Sequence, residues 1–244
     1  LDEKVRTRSK DIEELLKQKD EFITQIGHDL KTPLTPLLSI LPVLRKKEED
    51  PKRIEYLDMA IRNASQIHDI LINIIHLARL NKSYFPNTGT VLPIHQMIEE
   101  IVINFEPEIL KKRILVDYRI PADLWIRINP IDFDTIFENL LDNAIKCSFT
   151  GGTITFEGEK IEDSIIIRIR DTGVGLLPMQ KDQVFEKFYK GDSSRHDGKS
   201  YGLGLSITQK IVEKYGGMIK VESEGSNLGA VFILTFPNRM EHDI

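Results

Sequence analysis

Two hydrophobic rhythms divide the chain. Phe22, Ile26, Leu30, Leu34, Leu37, Leu41 and Leu44 recur at steps of three and four, one stripe of an amphipathic helix. Upstream, Val5, Ile12, Lys19 and Ile26 are spaced by sevens, with Leu15, Leu16 and Phe22 between them. This coiled-coil signal is weakened by the lysine in the series. The charged stretch from Lys46 to Arg53 contains Asp50-Pro51 and predicts a hairpin turn, with Pro51 near the start of a second helix. That helix carries Ile54, Leu57, Ile61, Ala64, His68, Leu71, Ile75 and Ala78 in steps of three and four. Ile67, Ile70, Ile72 and Ile74 widen its apolar face beyond what one partner helix can cover. Two hairpins packed as a four-helix bundle would bury it, so a homodimer is expected.

Asn81 to Pro93 contains Pro, Asn, Gly and Thr and reads as a linker. After Leu92 the rhythm alternates between helix and strand. Helices are expected near 94–112, 132–147 and 204–215. Strands are expected near 114–120, 124–128, 153–159, 164–170, 218–223 and 230–236, the β-branched run Ile165-Ile166-Ile167 being typical. The predicted fold class is α+β in two domains, a helical hairpin followed by an α/β sandwich with helices on one face of a mixed sheet. The expected boundaries are 1–15 for an incoming helix, 16–82 for the hairpin domain, 83–93 for the linker and 94–240 for the sandwich.

Composition narrows the function classes. A net charge of −5 gives no electrostatic case for nucleic acid or an anionic membrane surface. The single cysteine, Cys147, excludes an internal disulfide and a Cys-based zinc site and suits a reducing compartment. No apolar run reaches the ~18 residues that span a bilayer, and no signal-peptide pattern is present. A first residue of Leu1 rather than Met reads as a fragment, with an upstream sensor domain expected to be missing.

Candidate chemistry begins at His28-Asp29-Leu30-Lys31-Thr32-Pro33. At ~100° per residue, His28 lies roughly opposite Ile26 and Leu30 and should face solvent, with Thr32 above it one turn on. With an ordinary pKa of ~6.5, most of such an imidazole is neutral at pH 7 and nucleophilic. His68-Asp69 imitates the pair, but His68 falls in the apolar stripe of its helix and reads as packed.

Three further motifs follow in order. Asn139 and Asn143 share a helix face, with Lys146 one turn beyond. An amide oxygen is a competent Mg²⁺ ligand and a lysine supplies a point charge for phosphate. Asp171-Thr172-Gly173-Val174-Gly175 follows a strand, placing a carboxylate that can accept from an exocyclic amine beside glycines that admit a flat ring. Gly202-Leu203-Gly204-Leu205 runs into a helix whose first N–H groups suit phosphate. Each motif alone is generic; their joint order is not.

On these residues the chain resembles the cytoplasmic catalytic core of sensor histidine kinases of two-component systems, from about residue 16 onward. His28 to Pro33 is similar to the H box of the dimerisation and phosphotransfer domain. The second half resembles the ATP-binding domain of the wider gyrase/Hsp90-type group. Asn139 to Lys146 matches its N box, Asp171 to Gly175 its G1 box, Phe185-Glu186-Lys187-Phe188 its F box, and Gly202 to Leu205 its G2 box. The resemblance implies an ATP-dependent protein histidine kinase phosphorylated on His28, passing the group to an aspartate of a response-regulator receiver domain and acting also as its phosphatase. By the same analogy Asp29 acts as base toward the imidazole and Thr32 places a water for dephosphorylation. Asn143 then holds Mg²⁺, Asp171 takes the adenine amine, and Asn139, Lys146, Gly173, Gly175, Phe188, Lys190, Gly202, Leu203, Gly204 and Leu205 line the ATP site.

The wider group carries a glutamate four residues before the metal-binding asparagine. Here Asn139 stands there, and an amide cannot take a proton, which favours transfer over hydrolysis. Two other readings stay open. One is a non-kinase signalling scaffold or phosphatase-dominant form; the other is an ATPase acting as a machine, which the missing glutamate and the H box disfavour. Gly198-Lys199-Ser200 mimics the tail of a P-loop, but Ser193 stands where its first glycine should be. Residues 189–201 read as a polar lid. Pro36 and Pro42 add to the Pro33 of the H box, and three prolines in ten residues should bend the helix. The fragment is expected to be cytoplasmic; whether the intact protein is membrane-tethered stays open.

Overall fold

The computed structural model describes residues 2–80, 89–186, 189 and 203–238. The chain forms two compact units, 1–84 and 85–244.

The first unit is a hairpin of α1 (Asp2–Lys47) and α2 (Pro51–Leu80). Its turn is built by local polar chemistry. Glu48 Oε1 accepts from the backbone N–H groups of Glu49 and Asp50, both at 3.1 Å. Asp50 Oδ1 accepts from Lys52 N at 2.8 Å, covering a first-turn donor of α2. Arg45, Lys46 and Lys47 in the last turn of α1 oppose the negative end of its dipole. Pro33, Pro36 and Pro42 lie inside α1, which continues through them as one helix. Thr35 Oγ1 donates to Lys31 O at 3.0 Å and Ser39 Oγ to Thr35 O at 3.1 Å in that stretch. Leu34, Ala64 and Leu71 are buried within the hairpin, whereas Phe22, Leu30, Leu37, Ile40 and Ile67 remain exposed.

The second unit holds β1 (Thr90–Pro93), α3 (Ile94–Asn104), α4 (Glu106–Lys112), β2 (Leu115–Arg119), β3 (Trp125–Ile128) and α5 (Pro130–Cys147). It continues with β4 (Thr153–Ile161), β5 (Ser164–Asp171), α6 (Gln180–Gln183), α7 (Gly204–Lys214), β6 (Met218–Glu222) and β7 (Val231–Pro237). A five-stranded sheet runs β2-β4-β5-β7-β6, and β1 pairs with β3 in a separate ribbon. Only the β2–β4 pair of the large sheet is parallel, so the sheet is mixed as expected.

Three expectations change. Thr90–Pro93, placed in the linker by composition, is a strand because it pairs antiparallel with β3. The single helix expected over 94–112 breaks at Phe105, where Pro107 starts α4 afresh. The short α6 was not foreseen.

Alternation along β4, β5 and β7 sends Ile154, Phe156, Ile167, Ile169, Leu234 and Phe236 inward. They meet the buried faces of α5 (Phe133, Ile136, Phe137, Leu140, Leu141) and α7 (Ile207, Ile211, Val212). The opposite sheet face carries charge pairs, Arg168 with Glu159 and Arg119 with Asp117 and Glu157.

Candidate functional site

α5 is the element around which the second unit's motifs assemble. Asn129 caps its start, its Oδ1 accepting from Ile131 N at 2.9 Å, and Pro130 occupies the first turn. One turn in, the buried Asp132 carboxylate receives Lys214 Nζ at 2.7 Å and Tyr215 OH at 2.6 Å, both from the far end of α7. Burial and that carboxylate push the Tyr215 phenol well above its usual range. Midway, Asn139 Nδ2 donates to Gly204 O at 3.3 Å and to Thr208 Oγ1 at 3.4 Å. The N box is thereby fastened to the first turn of α7, the continuation of Gly202 to Leu205.

The other end of α5 meets the G1 segment. Val174 N donates to Cys147 O at 3.1 Å, and Ser148 forms an antiparallel bridge with Gly173. A Cβ on Gly173 would stand 2.1 Å from Cys147 O, so no other residue fits. Gly175 has φ +65°, and a Cβ there would meet Gly225 O at 2.0 Å. The 223–229 segment closes the other side. Ser223 Oγ accepts from Leu176 N at 3.0 Å and donates to Gly229 O at 2.6 Å, while Asn227 N donates to Val174 O at 2.7 Å.

Asp171 ends β5 between these two walls and is 4 % exposed. Its Oδ1 accepts from Gly173 N at 2.9 Å. Burial pushes the carboxyl up to about 6, against the opposing pull of the Gly173 and Ala230 N–H groups. A buried carboxylate held by backbone donors is suited to accept one more neutral hydrogen bond, as from an amine.

The remaining expected residues fall as follows. Asn143 is half-buried on α5, one turn beyond Asn139. Lys146 is paired with Asp142 Oδ2 at 2.5 Å, one turn before it on the same helix, so its ammonium is shared with that carboxylate. Leu203 is buried, Gly204 and Leu205 are half-buried, and among the described residues no side chain caps the first turn of α7, whose leading N–H groups suit an anion. Phe188, Lys190 and Gly202 lie outside the described residues, as does Gly198-Lys199-Ser200. On α1, Thr32 is exposed, and Asp29 accepts from Gln25 Nε2 at 3.0 and 3.2 Å. His28 sits in the same helix, its side chain outside the described residues. His68 is half-buried. Among the described residues no group of three His, Cys, Asp or Glu could hold a metal ion. A divalent cation here would depend on an amide oxygen together with substrate phosphate oxygens and waters, several of which Mg²⁺ usually keeps.

Sequence reasoning missed Lys112, Ser223 and Thr208, which bind the motifs together. Gly225 and Gly229, four apart before the last strand, were the available signal for a tight segment there.

Comparison with known proteins fits both units. Residues 18–83 match the His Kinase A (phospho-acceptor) domain, and residues 128–240 match the histidine kinase-, DNA gyrase B- and HSP90-like ATPase. The chain belongs to the sensor histidine kinases. Among relatives of this kinase family, heme sensor protein HssS of Staphylococcus saprophyticus is 31 % identical over 228 residues, covering 91 % of this chain and 48 % of that protein. The chain therefore spans about half the length of that relative. Full-length ShkA in complex with AMPPNP shares the fold with TM-score 0.73 and 21 % identity, covering 89 % of this chain and 45 % of that one. Histidine kinase ThkA in complex with response regulator protein TrrA shares it with TM-score 0.63 and 22 % identity, covering 91 % and 63 %. No described helix is long and apolar enough to cross a membrane.

Proposed function

We propose that this chain is the ATP-dependent kinase core of its protein. It phosphorylates His28 and passes the phosphoryl group to an aspartate on a response-regulator receiver domain. The observation carrying this reading is the commitment of Asn139. The position that would hold a water-activating base carries an amide, and that amide is spent on Gly204 O and Thr208 Oγ1. An ATPase fold without that base, in one chain with a phospho-acceptor helix, is better built to transfer phosphate than to hydrolyse it.

In this reading Asp171 takes the adenine amine, and Gly173 and Gly175 let the ring lie against backbone. The uncapped first turn of α7, entered through Gly202, Leu203, Gly204 and Leu205, receives phosphate. Lys146 and Lys190 contribute charge there, and Phe188 belongs to the adjoining F box. Asn143 would hold Mg²⁺, which neutralises phosphate charge. The neutral His28 imidazole attacks the γ-phosphorus, the bond to the β-phosphate bridging oxygen breaks, and ADP leaves. Asp29 receives the proton from the other ring nitrogen. Thr32 serves the reverse task of placing water for dephosphorylation of the regulator. The partner resemblance comes from ThkA, whose structure was solved with its response regulator. Exposure of Phe22, Leu30 and Leu37 on the isolated hairpin supports a homodimer, as does the width of the α2 stripe.

The test is incubation with Mg²⁺ and γ-labelled ATP. We expect acid-labile, alkali-stable label on the wild type and none on His28→Ala. Equal labelling of both would overturn the assignment of His28, and ATP binding with no label at all would favour a scaffold.

A further inference from the structure

Lys112 ends α4, outside every motif, yet its ammonium is fully used beside the site. Nζ donates to Ile145 O at 2.7 Å, Lys146 O at 2.8 Å and Ser148 O at 3.0 Å. A lysine has three N–H donors, and all three go to carbonyls at the C-terminal end of α5. Those of Ile145 and Lys146 lie in the last turn of α5, without intrahelical partners and at its negative pole, and that of Ser148 follows at the extended C-cap. A cation there satisfies them and opposes the dipole together. The backbone of the same residue adds another tie, Lys112 O accepting from Gly151 N at 2.8 Å. Residues 145–151 are thus held to α4 from both ends of Lys112.

The strip so held is the one on which the G1 turn rests. Ser148, whose carbonyl Lys112 takes, bridges to Gly173; Cys147 O accepts from Val174; and Gly173 N reaches the Asp171 carboxylate. The contact of Gly173 with Cys147 O leaves no room for slack.

We propose that Lys112 is a positioning residue for adenine recognition: by fastening three carbonyls at the end of α5 it fixes the backbone strip that aims Asp171 at the exocyclic amine. The inference rests on the reading of Asp171 as the adenine acceptor. A purely structural lysine would affect stability while leaving base preference untouched, and this difference decides the matter.

The test uses the full chain and two ligands, ATP and purine riboside triphosphate, which lacks the 6-amino group. Equilibrium binding is measured for wild type, Lys112→Met and Lys112→Arg, with folding checked by circular dichroism. The wild type should prefer ATP. Lys112→Met keeps the alkyl stem and removes the donors; its preference should fall at least fivefold, mostly through weaker ATP binding. Lys112→Arg keeps the charge but spreads its donors over a planar fork instead of converging them from one nitrogen, so it should fall between. A folded Lys112→Met with unchanged preference, or with both ligands weakened equally, overturns the inference alone. If Lys112→Met does not fold, a Lys112→Arg preference equal to wild type overturns it. A wild type without preference for ATP overturns the Asp171 reading and this inference with it.

Discussion

The two units bury their apolar residues to different degrees. In the sandwich, Phe133, Ile136, Phe137, Leu140 and Leu141 of α5 are sealed between β5, β7 and α7, Phe137 being 1 % exposed. In the hairpin, Phe22 is 65 % and Leu37 48 % exposed, although both belong to as regular an apolar stripe as any in the chain. A sandwich has two layers and closes on itself. Two helices have one shared seam, and the rest of each stripe is left over. The sandwich is therefore complete as a single copy, and the hairpin is complete only when something covers it.

That contrast is broken most severely by emptying the sandwich core. Phe137→Ala should cost ~3–5 kcal/mol, read as an earlier denaturant midpoint by fluorescence of Trp125, the only tryptophan. The transition of the hairpin, followed by helical circular dichroism, should stay in place if the units are independently stable.

The converse change is Leu37→Asp. In a lone hairpin a half-exposed position tolerates a carboxylate at little cost. Buried between two copies it should weaken association by roughly 2–4 kcal/mol, read by sedimentation equilibrium. Unchanged association would place the dimer seam elsewhere.

The third prediction sharpens the sandwich side. Asp171 accepts from an amine more strongly when ionised, and burial holds its carboxyl at about 6. ATP affinity should fall by up to about tenfold between pH 7 and pH 5, and Asp171→Asn should show a shallower dependence, left to the titration of the triphosphate itself. The sign for stability is opposite. The folded value lies above the ordinary 3.8, so the stability that this protonated group contributes is present at low pH. It is lost as pH rises from 3.8 to about 6. Isothermal titration and urea denaturation across that range separate the two.

Most of the architecture was legible because it follows from period. The stripes of α1 and α2, the turn at Asp50-Pro51 and the large-sheet strands all announce themselves in steps of three and four or of two. The ribbon strand Thr90–Pro93 did not, since four residues beside Pro, Asn and Gly carry too little pattern to outweigh linker composition. The site was legible as motifs and hidden as geometry. Asn139, Asp171 and Gly204 could be named from spacing. Lys146 sharing its charge with Asp142 is an i,i+4 pair on one helix face, whereas Asn139 serving as a clasp on α7 and Lys112 gripping α5 from another helix depend on tertiary neighbours. No local window encodes these; the Lys112 grip spans more than thirty residues of sequence.

The lone thiol of the chain lies at the junction of α5 and the G1 turn. Loss of hydration and the nearby Asp171 carboxylate push the Cys147 thiol up to about 11, against an ordinary 9.0. At pH 8 its reactive thiolate is then roughly a hundredfold scarcer than in an open chain. Alkylating reagents should pass it by in the resting molecule and mark it when the junction parts. An iodoacetamide time course would then serve as a clock on the parting of that junction, with no engineered label.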